Sequence, residues 1–355
     1  MPDANLTFAD RLLTIRRQRG YSLQVLANRM GNYITRQALH RYELGQTRPD
    51  SNSLHRLCEA LQVRPDFFFR ERQVVLGNIN FRKIELLHQK EQDRIRETAL
   101  DFLERYLELE NLAGIEGNFV NPLPGHAINS VAAVEQAAAL LREAWNMGDA
   151  PISNVIETLE DLNVKLLEIE ADDGFSGLSA WVGQTPVIVL NQTHSNDRKR
   201  FTALHELAHL LLEFDAQLPE KEQERLCNAF AAALLIPAER LRKELGENRR
   251  LIFLHEFGLL KRQYGISIQA LAIRAKTLGI ISEHQLTNFR QEMKVAGMLK
   301  KEPEQYDFQG EEKSNRFLQL LLRAVAEEAI SLSKAAALNN QKLAEFRQLF
   351  NPIKV

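Results

Sequence analysis

Cysteine is nearly absent: the 355 residues hold two, Cys58 and Cys227. Each sits in an apolar helical pattern, which excludes a disulfide scaffold and makes both read as reduced, buried thiols. Long apolar runs are missing as well, and none approaches the ~18 residues a membrane-spanning helix needs. The opening stretch MPDANLTFAD lacks the basic segment and apolar core of a secretory signal, so a cytoplasmic location with no membrane partner is expected. No internal repeat or low-complexity tract is found, which argues against a solenoid or a disordered chain.

Residues 1–70 contain no lysine, yet they hold eleven arginines against six acids. That end carries +5 within a chain of net charge −2, leaving −7 on the remainder. A small basic domain on an acidic body points to a polyanionic partner at one end. Hydrophobic residues at 45% and charged residues at 26% are the composition of a folded protein, long enough for two or three domains.

Helical periodicity runs from Phe8 to about Phe69 in four or five short segments. A longer pattern from Phe81 to Leu112 repeats Ile95, Ala99, Phe102, Tyr106 and Leu109 at heptad-like spacing, either a linker helix packed on the body or a dimerisation helix. Turn chemistry around NPLPG marks a boundary. Helices are predicted over Val131–Trp145 and Ile152–Leu162, the second capped by Ser153. Strands are predicted over Val164–Ile169, Leu178–Val182 and Val187–Leu190, separated by the DDGFSG and GQTP turns. Helical pattern then continues almost to the end. The fold class is mainly α with a small β-sheet, α+β, and the expected divisions are 1–72, a helical linker 73–125, a central domain 126–280 and a helical region 281–355.

The segment FTALHELAHLLL places His205, Glu206 and His209 in an HExxH pattern. Residues four apart on a helix share a face, so the two imidazoles can address one Zn²⁺, and Glu206 can take a proton from water at the metal's open position. Another divalent ion such as Mn²⁺ is the alternative cofactor. The third ligand is open between two carboxylates. Asp215 stands where a metzincin places a ligand, but Leu212 replaces the glycine that turns the helix back. Glu224 lies on a following amphipathic helix with Asn228 one turn later, placed to hold a ligating imidazole through its other nitrogen. Tyr264, Arg274 and His255 are candidate oxyanion donors, although His255 reads equally as a surface residue and Arg274 as an ion-pairing one.

RKRFTALHELAHLLLEF followed by ERLCNAFAAALLIP resembles the ImmA/IrrE family of HExxH metallopeptidases over roughly residues 130–280. The resemblance implies His205, His209 and Glu224 as zinc ligands and Glu206 as general base in a gluzincin-like site. Two positions depart from the family pattern: Glu213, often histidine, and Cys227, usually alanine.

At the N-terminus, SLQVLANRM, a Gly31-Asn32-Tyr33 turn and TRQALHRYE have helix-turn-helix spacing. Arg36, Gln37 and His40 can reach base edges in double-stranded DNA, with Arg41 weaker, while Gln24 and Thr35 can bind phosphates. Val25, Leu26, Ala38, Leu39, Tyr42, Leu54, Leu57 and Leu61 are read as core. Residues 8–70 resemble the XRE, phage-repressor-like family, with Glu43, Gly45 and Pro49 matching its signature. The function expected is a DNA-binding regulatory zinc metallo-endopeptidase that cuts a specific protein, a repressor or an antitoxin. The alternatives are a transcription factor with a non-catalytic metal site and an antitoxin or protein-interaction module. KSNRFLQLLLRAVAEEAISLSKAAAL resembles the C-terminal region of longer proteins of this kind and reads as a lid, a partner surface or a sensor.

Overall fold

The computed structural model describes residues 4–69, 88–115, 117–123, 125 and 127–349. Phe81, where the long sequence pattern begins, lies outside these residues. Two compact units emerge: one holds the residues up to 69, those of 88–117 and those from 315 onward, and the other holds 118–314. These divisions differ from the sequence boundaries at 72, 125 and 280, for a reason visible in the first unit.

That unit opens with α1 (Ala4–Gln18), α2 (Leu23–Arg29), α3 (Arg36–Glu43) and α4 (Ser51–Leu61), followed by a 3-10 turn over Pro65–Phe69. Each short helix starts on a side-chain cap. Val25 N–H donates to Ser22 Oγ at 3.2 Å, Ala38 N–H to Thr35 Oγ1 at 3.2 Å and Ser53 N–H to Asp50 Oδ1 at 2.7 Å. Gly31 and Asn32, at φ 67° and 55°, make the left-handed turn between α2 and α3. Phe8, Leu12, Leu26, Leu39, Leu57, Leu61 and Phe68 close the core. Val25, expected inside, is 41% exposed, because the seven-residue α2 turns only Leu26 and Ala27 inward.

Helix α5 (Gln89–Leu112) buries its whole predicted seam, Ile95, Ala99, Phe102, Tyr106 and Leu109. It packs on α1 and on α14 (Arg316–Ala326), where Phe102, Tyr106 and Phe317 form an aromatic trio with centroids 5.4–5.6 Å apart. Arg11 pairs with Glu104 at 2.6 Å. The seam thus joins the linker helix and the C-terminal helices, including α15 (Leu332–Leu338), to the helix-turn-helix core.

In the second unit, α6 (Val131–Ala144) and α7 (Val155–Asp161) precede β2 (Lys165–Ile169), β3 (Gly177–Val182) and β4 (Thr185–Asn191). The sheet order is β2-β4-β3, with β2 parallel and β3 antiparallel to β4, so β3 lies at an edge. The cap of α7 is Asn154 rather than Ser153: Glu157 N–H donates to Asn154 Oδ1 at 3.0 Å. Helices α8 (Asn196–Leu211) and α9 (Glu220–Leu235) pack together beside the sheet, followed by α10 (Ala238–Leu245), α11 (Leu254–Tyr264), α12 (Ile268–Thr277) and α13 (Glu283–Val295). Two short strands not anticipated, β1 (Ala127–Ile128) and β5 (Glu213–Phe214), pair in parallel. The architecture is α+β with helix predominant. Among the described residues, no helix is long and apolar enough to cross a membrane.

Candidate metal centre and recognition helix

α8 buries Ala203, Leu204, Leu207 and Ala208, which fixes its rotation and leaves His205 and His209 on the face toward α9. α9 buries Leu226, Phe230 and Leu234 and thereby turns Glu224 to the same place. The structure brings the three residues together. His205 Nε2 lies 3.2 Å from His209 Nε2 and 3.2 Å from Glu224 Oε2, and His209 Nε2 lies 3.1 Å from Glu224 Oε1. Zinc bonds of about 2.0–2.1 Å at tetrahedral angles separate ligand atoms by roughly 3.3 Å, so this donor set fits such an ion.

The outer nitrogens of both rings are also occupied. Asn228 Oδ1 is 2.9 Å from His205 Nδ1, and Cys227 Sγ is 3.6 Å from His209 Nδ1. Glu206 is 2% exposed and accepts a hydrogen bond from Ser179 Oγ at 2.9 Å. Ser179, on the edge strand, and Cys227, read from sequence as a buried thiol and a departure from the family's alanine, are the two neighbours whose contacts sequence reasoning missed. Asp215 stands apart from the cluster, in the turn after β5, where its Oδ1 accepts from Gln217 N–H.

The candidate oxyanion donors have other partners. Arg240 Nε donates to the Tyr264 hydroxyl at 2.8 Å. Arg274 forks onto Glu135 at 2.7 and 3.1 Å and donates from Nε to the Ile236 carbonyl at 2.7 Å, which is the ion-pairing reading of that residue. His255 Nδ1 meets the Tyr306 hydroxyl at 2.8 Å.

Earlier on the same helix as His205, Arg200 is fully buried and paired with the fully buried Glu312. Burial pushes the Arg200 guanidinium down from its usual range and the Glu312 carboxyl up. Glu312 also accepts from the N–H groups of Val155 and Ile156 at 3.0–3.1 Å, closing the first turn of α7. Gly265, at φ 62°, passes over Arg200 so closely that a Cβ there would lie 2.4 Å from Nε.

In the first unit, α3 turns Leu39 inward and leaves Arg36, Gln37, His40 and Arg41 exposed. Thr35 is occupied as the cap of this helix, and Gln24 Nε2 donates to Asn28 Oδ1 at 2.9 Å. Beside the turn, Tyr33 is exposed, with the Arg56 guanidinium 4.3 Å from its ring centroid. Arg56 was not singled out from sequence, and Tyr33 was read only as part of the turn.

Residues 12–68 match the helix-turn-helix family and residues 159–276 match the IrrE N-terminal-like domain family. Over 63 residues the chain is 40% identical to an SPbeta prophage-derived uncharacterized HTH-type transcriptional regulator, YonR, of Bacillus subtilis (strain 168), covering 18% of this chain and 56% of that protein. Over 65 residues it is 40% identical to the radiation response metalloprotease IrrE of Deinococcus deserti, covering 15% of this chain and 23% of the relative. The chain therefore spans about half the length of one of these relatives and about a quarter of the other. The two matches fall in different units of the fold, the helix-turn-helix match in the first and the IrrE N-terminal-like match in the second.

Proposed function

We propose that the protein is a DNA-binding regulatory zinc metallo-endopeptidase that hydrolyses a peptide bond in a specific protein, a transcriptional repressor or an antitoxin. The observation that carries this reading is the division of labour around one point. Two imidazoles and a carboxylate converge there, and a further buried carboxylate, Glu206, stands beside them outside the converging set. His205, His209 and Glu224 would hold the ion. When bound, zinc supplies a Lewis acid that polarises a carbonyl and makes water acidic enough to attack at neutral pH.

The chain's own groups do the rest. With an ion held at both Nε2 atoms, each ring proton would lie on Nδ1, where His205 would donate to Asn228 Oδ1 and His209 to Cys227 Sγ. Ser179 Oγ–H orients the Glu206 carboxylate, which accepts the proton of the attacking water and returns it to the leaving amine. β3 can pair with an extended substrate at its edge. The exposed polar face of α3 is the DNA-reading surface.

Glu206→Gln is the decisive variant, because it keeps the size and the hydrogen bond to Ser179 and removes only the base. It is expected to retain zinc and DNA binding while cleavage falls about 10²–10⁴-fold. The measurement is a cleavage time course against a partner identified from cells lacking the protein, with a chelated wild type alongside. Wild-type cutting by Glu206→Gln removes the mechanism. A wild type that cuts nothing yet regulates transcription replaces it with a metal-stabilised transcription factor.

A further inference from the structure

Next to the histidine cluster lies a groove of about 920 Å³ between α8, α9 and α12. Its continuity with the cluster runs through Asn228, which lines the groove and also touches His205 Nδ1, and through Phe201, one turn before His205. Another face of α8 belongs to the sheet, where Glu206 meets Ser179.

The floor is apolar, built from Phe201, Ala229 and Ile273, the last left 42% exposed. The charges around it are unevenly matched. Asp197, Glu302 and Asp307 surround the buried Lys261 at 3.5, 3.1 and 3.1 Å, and Glu302 also accepts from the N–H groups of Ile268 and Gln269. Glu283 pairs with Lys276 at 2.7 Å. Three of these four carboxylates share one lysine, so that corner of the groove keeps an excess of negative charge, apart from the cations on its other walls. By contrast Arg198, Arg290 and Lys300, all exposed, have no carboxylate within ion-pair distance among the described residues, and Arg198 donates only to Ser176 Oγ, at 2.9 Å.

We propose that this groove receives the substrate polypeptide on one side of the scissile bond and selects a segment in which an apolar residue, seated on Phe201 and Ile273, is accompanied by acidic residues facing Arg198, Arg290 and Lys300. The inference rests on the peptidase reading for its substrate. The volume lies in the range of sites that enclose a ligand, and unmatched cations beside an apolar floor attract an acidic partner and reject a basic one.

The test uses the full chain, zinc-loaded and carrying Glu206→Gln so that no peptide is consumed, with three fluorescein-labelled octapeptides identical except that a central leucine is flanked by glutamates, lysines or serines. By anisotropy the glutamate peptide is expected to bind about tenfold more tightly than the lysine peptide. Arg198→Glu with Arg290→Glu should invert that order, while Arg262→Glu, an exposed arginine outside the groove, should not. Equal affinities, an order unchanged by the double reversal, or the same inversion from Arg262→Glu overturns the proposal. So does an eight-nucleotide thymidine oligomer that displaces the glutamate peptide through the same two arginines, since the groove would then serve nucleic acid. Wild-type protein incubated with the peptides separates the two readings. Cleavage without acidic preference leaves the peptidase and removes the groove's role, whereas preference without cleavage does the reverse.

Discussion

Both imidazoles of the cluster are held at both nitrogens, and the two outer holds are unequal. Asn228 Oδ1 at 2.9 Å is a full-strength acceptor, whereas Cys227 Sγ at 3.6 Å is a weak one. Loss of such an outer partner typically costs 10–100-fold in metal affinity. Asn228→Ala is therefore expected near the upper end of that span and Cys227→Ala near the lower, read by chelator competition for zinc in the full chain; the opposite ranking would show that the thiol, not the amide, governs the site. His205→Ala and Glu224→Ala should lose the ion outright and Asp215→Ala should keep it. Metal bound by Glu224→Ala and lost from Asp215→Ala would exchange the two carboxylates in the assignment. His205, Glu206 and His209 were legible in the sequence because helical periodicity alone puts residues four apart on one face. Ser179 was not, because its contact with Glu206 joins residues 27 apart through a strand register that no local pattern encodes. Cys227 was hidden for a different reason, since a buried thiol among alanines and leucines looks like core until a histidine is known to face it.

Helix α3 is a short element with two faces. Leu39 anchors it with Ala38 and Tyr42 packed alongside, Thr35 closes its first turn, and Arg36, Gln37, His40 and Arg41 are left outward. Because Thr35 Oγ1 accepts from Ala38 N–H, its contribution is expected mainly in stability: Thr35→Ala should cost about 1 kcal/mol of folding free energy. Arg36→Ala and Gln37→Ala are expected to weaken sequence-specific DNA binding by about 1–3 kcal/mol each, leaving folding and cleavage intact, in titrations that also fall steeply with salt. Failure of the full chain to bind any DNA at low salt would remove this face as a DNA reader. The elements themselves were readable where caps and periodicity agree, as at Ser22 and through the α5 seam. They were misread where two cap residues adjoin, Ser153 and Asn154, and only the backbone decides which one accepts. The pair β1 and β5 could not be foreseen, because two-residue strands carry no pattern and their partnership spans Ala127 to Glu213. The domain limits shifted for a related reason: apolar seams show that a helix packs, not which distant helix it packs on.

One buried pair lies at the centre of the long-range closure of the 118–314 unit. Arg200 and Glu312 are both fully inaccessible and join α8, which carries His205 and His209, to the segment that ends the unit. Around them, Arg200 Nη2 donates to the Ile152 carbonyl at 2.6 Å, Lys199 Nζ donates to the Glu312 carbonyl at 2.6 Å, and Asn196 Nδ2 donates to the Gly310 carbonyl at 2.9 Å. Burial opposes both charges, so the pair itself adds little net stability, but removing one member strands the other. Glu312→Gln keeps an acceptor for the Val155 and Ile156 N–H groups and should still destabilise the unit by about 3–5 kcal/mol, the cost of an uncompensated buried guanidinium. Glu312→Leu combined with Arg200→Met removes both charges and should recover most of that loss, yet leave about 1–3 kcal/mol, because the two α7 N–H groups then have no acceptor. Both tryptophans, Trp145 and Trp181, lie in this unit, so urea unfolding of the full chain followed by tryptophan fluorescence reports on it alone. A Glu312→Gln protein as stable as wild type would mean that Arg200 reaches water or another anion when Glu312 is neutral. A double variant fully as stable as wild type would mean that the α7 amides need no partner from this segment, and in that case Glu312 acts solely as the counter-charge to the helix that carries the histidines.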